Sequence, residues 1–163
     1  MRKIDRLLNE YGESHKNSTN KLIHWICVPL IFWSIVALLF AIPTNALETV
    51  FNDSNEQYSI FLNWAVVALL FLSIYYFLLS FPLSVGMIIF SIACIYICNV
   101  LSNNFSFPLW GTALIVFVLA WIGQFIGHNI EGKKPSFLKD LQFLLIGPAW
   151  LMHFILKKLN INY

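Results

Sequence analysis

Apolar residues in this chain come in long blocks broken by short polar or proline-bearing stretches, the pattern of membrane spans rather than of one-sided helices or alternating strands. A spanning helix needs about 20 predominantly apolar residues, and four blocks are read as spans, at about 25–42, 60–80, 82–101 and 107–127. Pro43, the pair Phe81-Pro82, and the Ser102-Asn103-Asn104 cluster followed by Pro108 separate them, as breakers do. A fifth block, 141–156, has only 16 residues and carries Gly147-Pro148 in its middle. It is expected to form a broken, re-entrant or interfacial hairpin packed against the bundle, a fifth helical span being the alternative. Upstream of the first span, Arg2 to Glu10 mixes charged residues with Ile4, Leu7 and Leu8, the spacing of a helix lying on a membrane surface. Asn17-Ser18-Thr19-Asn20 then interrupts the chain and offers N-cap residues for the first span. The pattern predicts an all-α, polytopic membrane helix bundle. It has four transmembrane helices, an N-terminal interfacial helix and a C-terminal re-entrant or fifth segment, with 1–163 as a single integral membrane domain. No cleaved signal peptide is expected, because no small-residue cleavage site follows the first block.

Composition strengthens the membrane reading. Hydrophobic residues make up 59% of the chain and charged residues 11%. Soluble domains carry roughly 45–50% and about 25%, so a soluble monomer, a disordered chain and a basic-patch nucleic-acid binder are all excluded. Cys27, Cys94 and Cys98 fall inside apolar blocks, which argues against a secreted disulfide framework; Cys94 and Cys98 share a helix face suited to packing.

Charge sets the topology. All ten Lys and Arg lie near the two ends, and the 111 residues from Leu22 to Gly132 contain none. The loop 43–59 carries Glu48, Asp53 and Glu56 without a basic residue, whereas the N-terminal segment and the loop 128–140 hold eight of the ten. Basic residues stay in the cytoplasm, so both termini are expected there, in a bacterial inner membrane or an endoplasmic reticulum.

In that topology His15, His24, His128 and His153 all fall on the cytoplasmic side. Residues three and four apart share a helix face, so Trp121, Gln124, His128 and Glu131 form one stripe at the inner end of the fourth span. His128 and Glu131 make an H-x-x-E pair able to grip one metal if the helix runs that far; otherwise Glu131 is a solvated helix end beside lysines. His15 and His24, nine apart, would face about opposite ways on one straight helix. They converge only if the chain bends, and Asn17 to Asn20 supplies the breaker. The expected metal site is therefore His15, His24 and His128, with Glu131 or His153 completing it. The catalytic set is His15, His24, His128 and Glu131. Tyr11, Asn20 and Gln124 each stand four residues before a histidine, a spacing for side chains that hydrogen-bond and orient metal-bound imidazoles.

Two paired motifs make the chain recognisable: Tyr11-x3-His15-x4-Asn20-x3-His24-x4-Pro29, and Trp121-x2-Gln124-Phe125-x-Gly127-His128-x2-Glu131-Gly132-x2-Pro135. They resemble a family of small membrane proteins that includes a 2-hydroxy fatty acid dioxygenase, and the resemblance runs from Tyr11 through Gly147-Pro148. Cys27 departs from it, standing where many members have Gly. His153 stands where eukaryotic members tend to carry a carboxylate. The resemblance implies an iron(II)-dependent oxygenase that takes a 2-hydroxy fatty acid and O2 and releases the acid one carbon shorter, at the cytoplasmic face of a lipid membrane. Fe(2+) is the cofactor that the resemblance implies, and imidazole and carboxylate ligands with open positions accommodate non-haem iron, as they would zinc or manganese. Lys133 or Lys134 could steer the substrate carboxylate. Rival readings are another metal-dependent lipid enzyme, or a small transporter or assembly protein without chemistry. A conduction path has no support, since the second and third spans carry no acid or base.

Overall fold

The computed structural model of the protein describes residues 2–51, 60–132 and 137–162. Within them the chain is all-α, with seven helices: α1 Lys3–Gly12, α2 Ser18–Phe40, α3 Asn45–Phe51, α4 Trp64–Leu79, α5 Phe81–Asn104, α6 Leu109–Glu131 and α7 Phe137–Lys158. α2, α5 and α6 are long and apolar enough to cross a membrane. α4 is apolar but has 16 residues, about 24 Å at 1.5 Å per residue against a hydrocarbon core of about 30 Å. Its outer face is nonetheless apolar, with Leu70, Phe71, Ile74, Phe77 and Leu78 exposed, a contiguous surface that water would penalise.

The helix ends follow local chemistry. α2 starts seven residues before the first apolar block because Asn17 caps it: its side-chain oxygen accepts from the backbone N–H groups of Thr19 (2.8 Å) and Asn20 (3.3 Å), so the polar residues 18–21 become the first turn. Asn63 caps α4 in the same way through Val66 N–H. Ser80 alone joins α4 to α5, with Pro82 in the first turn of α5, where no helical N–H is required of it. α6 runs through Glu131 and ends at Gly132, whose φ of +72° is the left-handed region that favours glycine.

α2 and α6 pack antiparallel as the largest interface of the bundle, and small residues let them approach. A Cβ on Gly123 would stand 2.6 Å from Cys27 Sγ, and one on Gly127 would strike Asn20 Oδ1. Cys27, the departure from the family pattern, is thus accommodated by a glycine on the facing helix. Gly127→Ala is expected to destabilise the protein by about 1–3 kcal/mol through overpacking, read as a lowered midpoint of thermal unfolding in detergent; an unchanged midpoint contradicts this packing.

Two elements differ from the sequence expectation. The terminal apolar block is not a hairpin: α7 is one helix through Gly147 and Pro148. A proline inside a membrane-protein helix is tolerated where neighbouring elements support the backbone, and here they do. Tyr76, in the last turn of α4, donates its hydroxyl to Leu145 O at 2.6 Å, Met152 covers Gly86 near the start of α5, and Gly147 lies against Tyr11 and Val28. α7 thus lies across the end of the bundle that holds the α2 N-terminus and the α6 C-terminus. The apolar stripe of α1, buried at Ile4, Leu7, Leu8 and Tyr11, faces the protein and packs on α7 rather than lying bare on a membrane surface. The short helix α3 lies in a stretch without an apolar block. Cys94 and Cys98 are buried free thiols in the core, as packing residues.

Candidate metal centre

The break between α1 and α2 builds one half of the site. α1 stops at Gly12, the chain turns through residues 13–17, and His15 on that turn swings back onto His24, two turns into α2. Antiparallel α6 delivers His128 from its last turn. The ring centroids lie 4.1 Å apart for His15 and His24, 5.0 Å for His24 and His128, and 5.5 Å for His15 and His128. One ligand nitrogen from each lies within 4.8 Å of the others, somewhat wider than the separation of about 4 Å set by two bonds of about 2.0–2.1 Å to a shared ion. His15 and His24 are 2% and 1% exposed. Among the described residues these three form a group of donors placed to hold a metal ion.

The hydrogen bonds decide which nitrogen faces inward. His15 Nδ1 lies 2.6 Å from Tyr11 O, and His24 Nδ1 lies 2.9 Å from Asn20 O. A carbonyl oxygen can only accept, so each Nδ1 carries the hydrogen and each neutral ring keeps its lone pair on Nε2. That is the ligating form of imidazole, with the other ring nitrogen held by an orienting acceptor. An all-imidazole donor set suits iron, zinc, copper or nickel. The residues present therefore fit a metal ion, and iron(II) falls within that range.

Tyr11 and Asn20 were expected to orient His15 and His24 through their side chains; the structure assigns that task to their main-chain carbonyls. The Tyr11 carbonyl sits in the last turn of α1, where carbonyls lack an intrahelical partner, and the Asn20 carbonyl has a second lone pair. The Tyr11 ring instead stacks on His15 at 4.2 Å and 12°. Gln124 is buried beside His24, within hydrogen-bonding reach of its imidazole. Trp121 packs between Phe117 and Phe125, away from the rings.

Glu131 is not part of the cluster. Its Oε1 accepts from Lys16 N–H at 2.9 Å, and its Oε2 accepts from Asn17 N–H at 2.9 Å and Asn20 Nδ2 at 3.0 Å. Asn20 Nδ2 also donates to Ser14 O at 3.2 Å. Both carboxylate oxygens thus accept from the segment leading into α2, where the positive end of the helix favours an anion. The carboxylate ties the end of α6 to the α1–α2 turn. His153 likewise lies outside the cluster, on α7, lining a cavity that His15 also lines. Burial and nearby Lys157 hold its imidazole below the ordinary histidine pKa, against a smaller opposing pull from Asp5. Lys133 and Lys134 lie outside the described residues.

Trp150 belongs to the site and carries no motif. It is buried 5.3 Å from His15 and 5.3 Å from Tyr11, ring centroid to ring centroid, and only the fold of α7 onto α1 brings it there. Gly147, one turn earlier, leaves room for the Tyr11 hydroxyl, which a Cβ would approach to 3.1 Å.

A family model described as "Mpo1-like: 2-hydroxy-palmitic acid dioxygenase Mpo1-like" matches residues 1–159. The 2-hydroxy-palmitic acid dioxygenase MPO1 of Saccharomyces cerevisiae is 30% identical over 157 residues, covering 94% of this chain and 79% of the yeast protein. No solved structure gives a significant match.

Proposed function

Because the chain belongs to the Mpo1-like family, we propose that it is an iron(II)-dependent dioxygenase that cleaves a 2-hydroxy fatty acid to the acid one carbon shorter. The observation that carries the reading is the convergence of three imidazoles, two of them with Nδ1 donating to a main-chain carbonyl, so that the lone pair of each neutral ring lies on Nε2. His15, His24 and His128 would hold the ion, and iron there would supply the redox chemistry with dioxygen. Three protein ligands leave positions open for a substrate.

The rest is the work of this chain's residues. Tyr11 O and Asn20 O fix the tautomers of His15 and His24, so that metal binding needs no proton shift within either ring. Tyr11 and Trp150 wall His15 with aromatic surface, which excludes water from that side. Glu131 holds the turn that carries His15.

The protein is a membrane protein with helices long enough to span. Its charges support an orientation with both termini in the cytoplasm: the basic residues of α1, the α1–α2 turn and the end of α7 favour that side. A cysteine introduced by Asn52→Cys is expected to react with an impermeant maleimide only from the far side; labelling from the cytoplasmic side alone contradicts this orientation. Elemental analysis of anaerobically purified protein tests the metal assignment: about one iron per chain is expected. Stoichiometric zinc in place of iron that persists in iron-supplemented cells contradicts the iron assignment.

A further inference from the structure

A cavity of about 350 Å³ opens between α1, the first turn of α2 and α7. Its lining includes His15, the same residue that belongs to the imidazole cluster, so the cavity borders the candidate metal centre. Lys16 and Lys21 stand on its wall with Glu13 and His153, giving two ammonium groups against one carboxylate. Lys21 is half-buried; its stem lies along the protein while the charge stays at the aqueous edge. Small-molecule sites run from about 300 to 1,000 Å³, so this one takes a head group and the first carbons of a long chain. The remaining chain needs an apolar exit, and the aromatics supply one. On the cavity wall Trp150 meets Phe154 edge-on at 4.7 Å, and Phe154 meets Trp25 at 6.3 Å. Trp25 and Phe154 are 40% and 39% exposed, beside Leu22 at 64% on the same outward face of α2. The route therefore runs from the cavity to surface that would face lipid.

We propose that this cavity receives the carboxylate of a long-chain fatty acid at Lys16 and Lys21, with the alkyl chain leaving past Phe154 and Trp25 into the bilayer. The assignment rests on the substrate class proposed above and places the head-group contacts on the α1–α2 turn, apart from Lys133 and Lys134. Two lysines on the cavity wall give an entering anion compensating charge as it leaves water.

The test is equilibrium binding of radiolabelled hexadecanoic acid and hexadecanol to the full-length protein in detergent. Both lack the 2-hydroxyl, so the measurement reads the cavity and not turnover. The Lys16→Gln/Lys21→Gln variant is expected to bind the acid about tenfold more weakly, the sum of two modest charge contacts, with the alcohol unchanged. Lys16→Arg/Lys21→Arg should recover most of the acid binding. Phe154→Glu should weaken acid and alcohol alike by placing a charge on the alkyl route. Acid binding unchanged in the glutamine variant, or acid and alcohol losing equally in it, overturns the head-group site. Phe154→Glu without effect on either lipid overturns the route. A protein that binds acid through these lysines but carries no iron would refute the dioxygenase reading and leave this one standing; unchanged acid binding would do the reverse.

Discussion

Replacing His24 or His128 by alanine is expected to abolish both metal binding and turnover, while His153→Ala keeps the metal. The two named histidines face each other across the α2–α6 interface at 5.0 Å, and neither has a substitute among the described residues. Removing one leaves two imidazoles, too few to hold a labile divalent ion against water. His24→Ala also leaves the Asn20 carbonyl facing a void where it now accepts from Nδ1. His153 sits outside the group of nitrogens within 4.8 Å of one another and should matter only to the cavity that it lines. Iron content by elemental analysis, measured beside a thermal unfolding curve, separates loss of the ion from loss of fold. Full iron in both His24→Ala and His128→Ala would remove the shared site.

Glu131 carries the second large effect. If it were a ligand, Glu131→Gln would empty the site as the histidine variants do. The hydrogen bonds predict a different outcome. Each carboxylate oxygen accepts from at least one N–H of the α1–α2 turn or of Asn20, so an amide must set its own NH2 against a donor on one side. A hydrogen bond to a charged acceptor contributes about 1.5–3 kcal/mol, and loss of a group that orients a metal ligand typically costs about 10–100-fold in affinity. Glu131→Gln should therefore bind iron(II) about 10–100-fold more weakly and regain activity when iron(II) is added. Asn20→Ala removes one partner of the same carboxylate and one contact of Ser14 O, so its effect and that of Glu131→Gln should be clearly less than additive. Irreparable loss of the ion in Glu131→Gln, or strict additivity of the two, would show that Glu131 acts in some other way.

The apolar blocks located the helices of the bundle because burial in lipid demands unbroken hydrophobicity, a property of the sequence itself. Boundaries were less legible. Asn17 to Asn20 read as an interruption offering N-cap residues for a span that begins near residue 25, yet capping by Asn17 starts α2 at Ser18, and Gly147-Pro148 read as a breaker until Val28, Tyr11 and Leu145 supplied the contacts that carry α7 through it. The histidines were legible from their common membrane side and from the breaker between His15 and His24. Glu131 shows the limit of spacing arguments. An i,i+3 pair shares a helix face, but whether its carboxylate turns to the ion or to a neighbouring turn depends on what α2 presents to it. The same limit hid the carbonyl partners of His15 and His24, since spacing of four names the residue and not the atom. Trp150 had no local signature, because its meeting with His15 exists only once α7 lies on α1.

The most direct test of the account is the fate of 2-hydroxyhexadecanoic acid incubated with the iron-loaded protein under oxygen, followed by mass spectrometry of the lipid products. The account predicts pentadecanoic acid, formed only when both iron(II) and dioxygen are present and absent from the His24→Ala protein. Recovery of intact 2-hydroxyhexadecanoic acid from folded protein carrying a full complement of iron would contradict it.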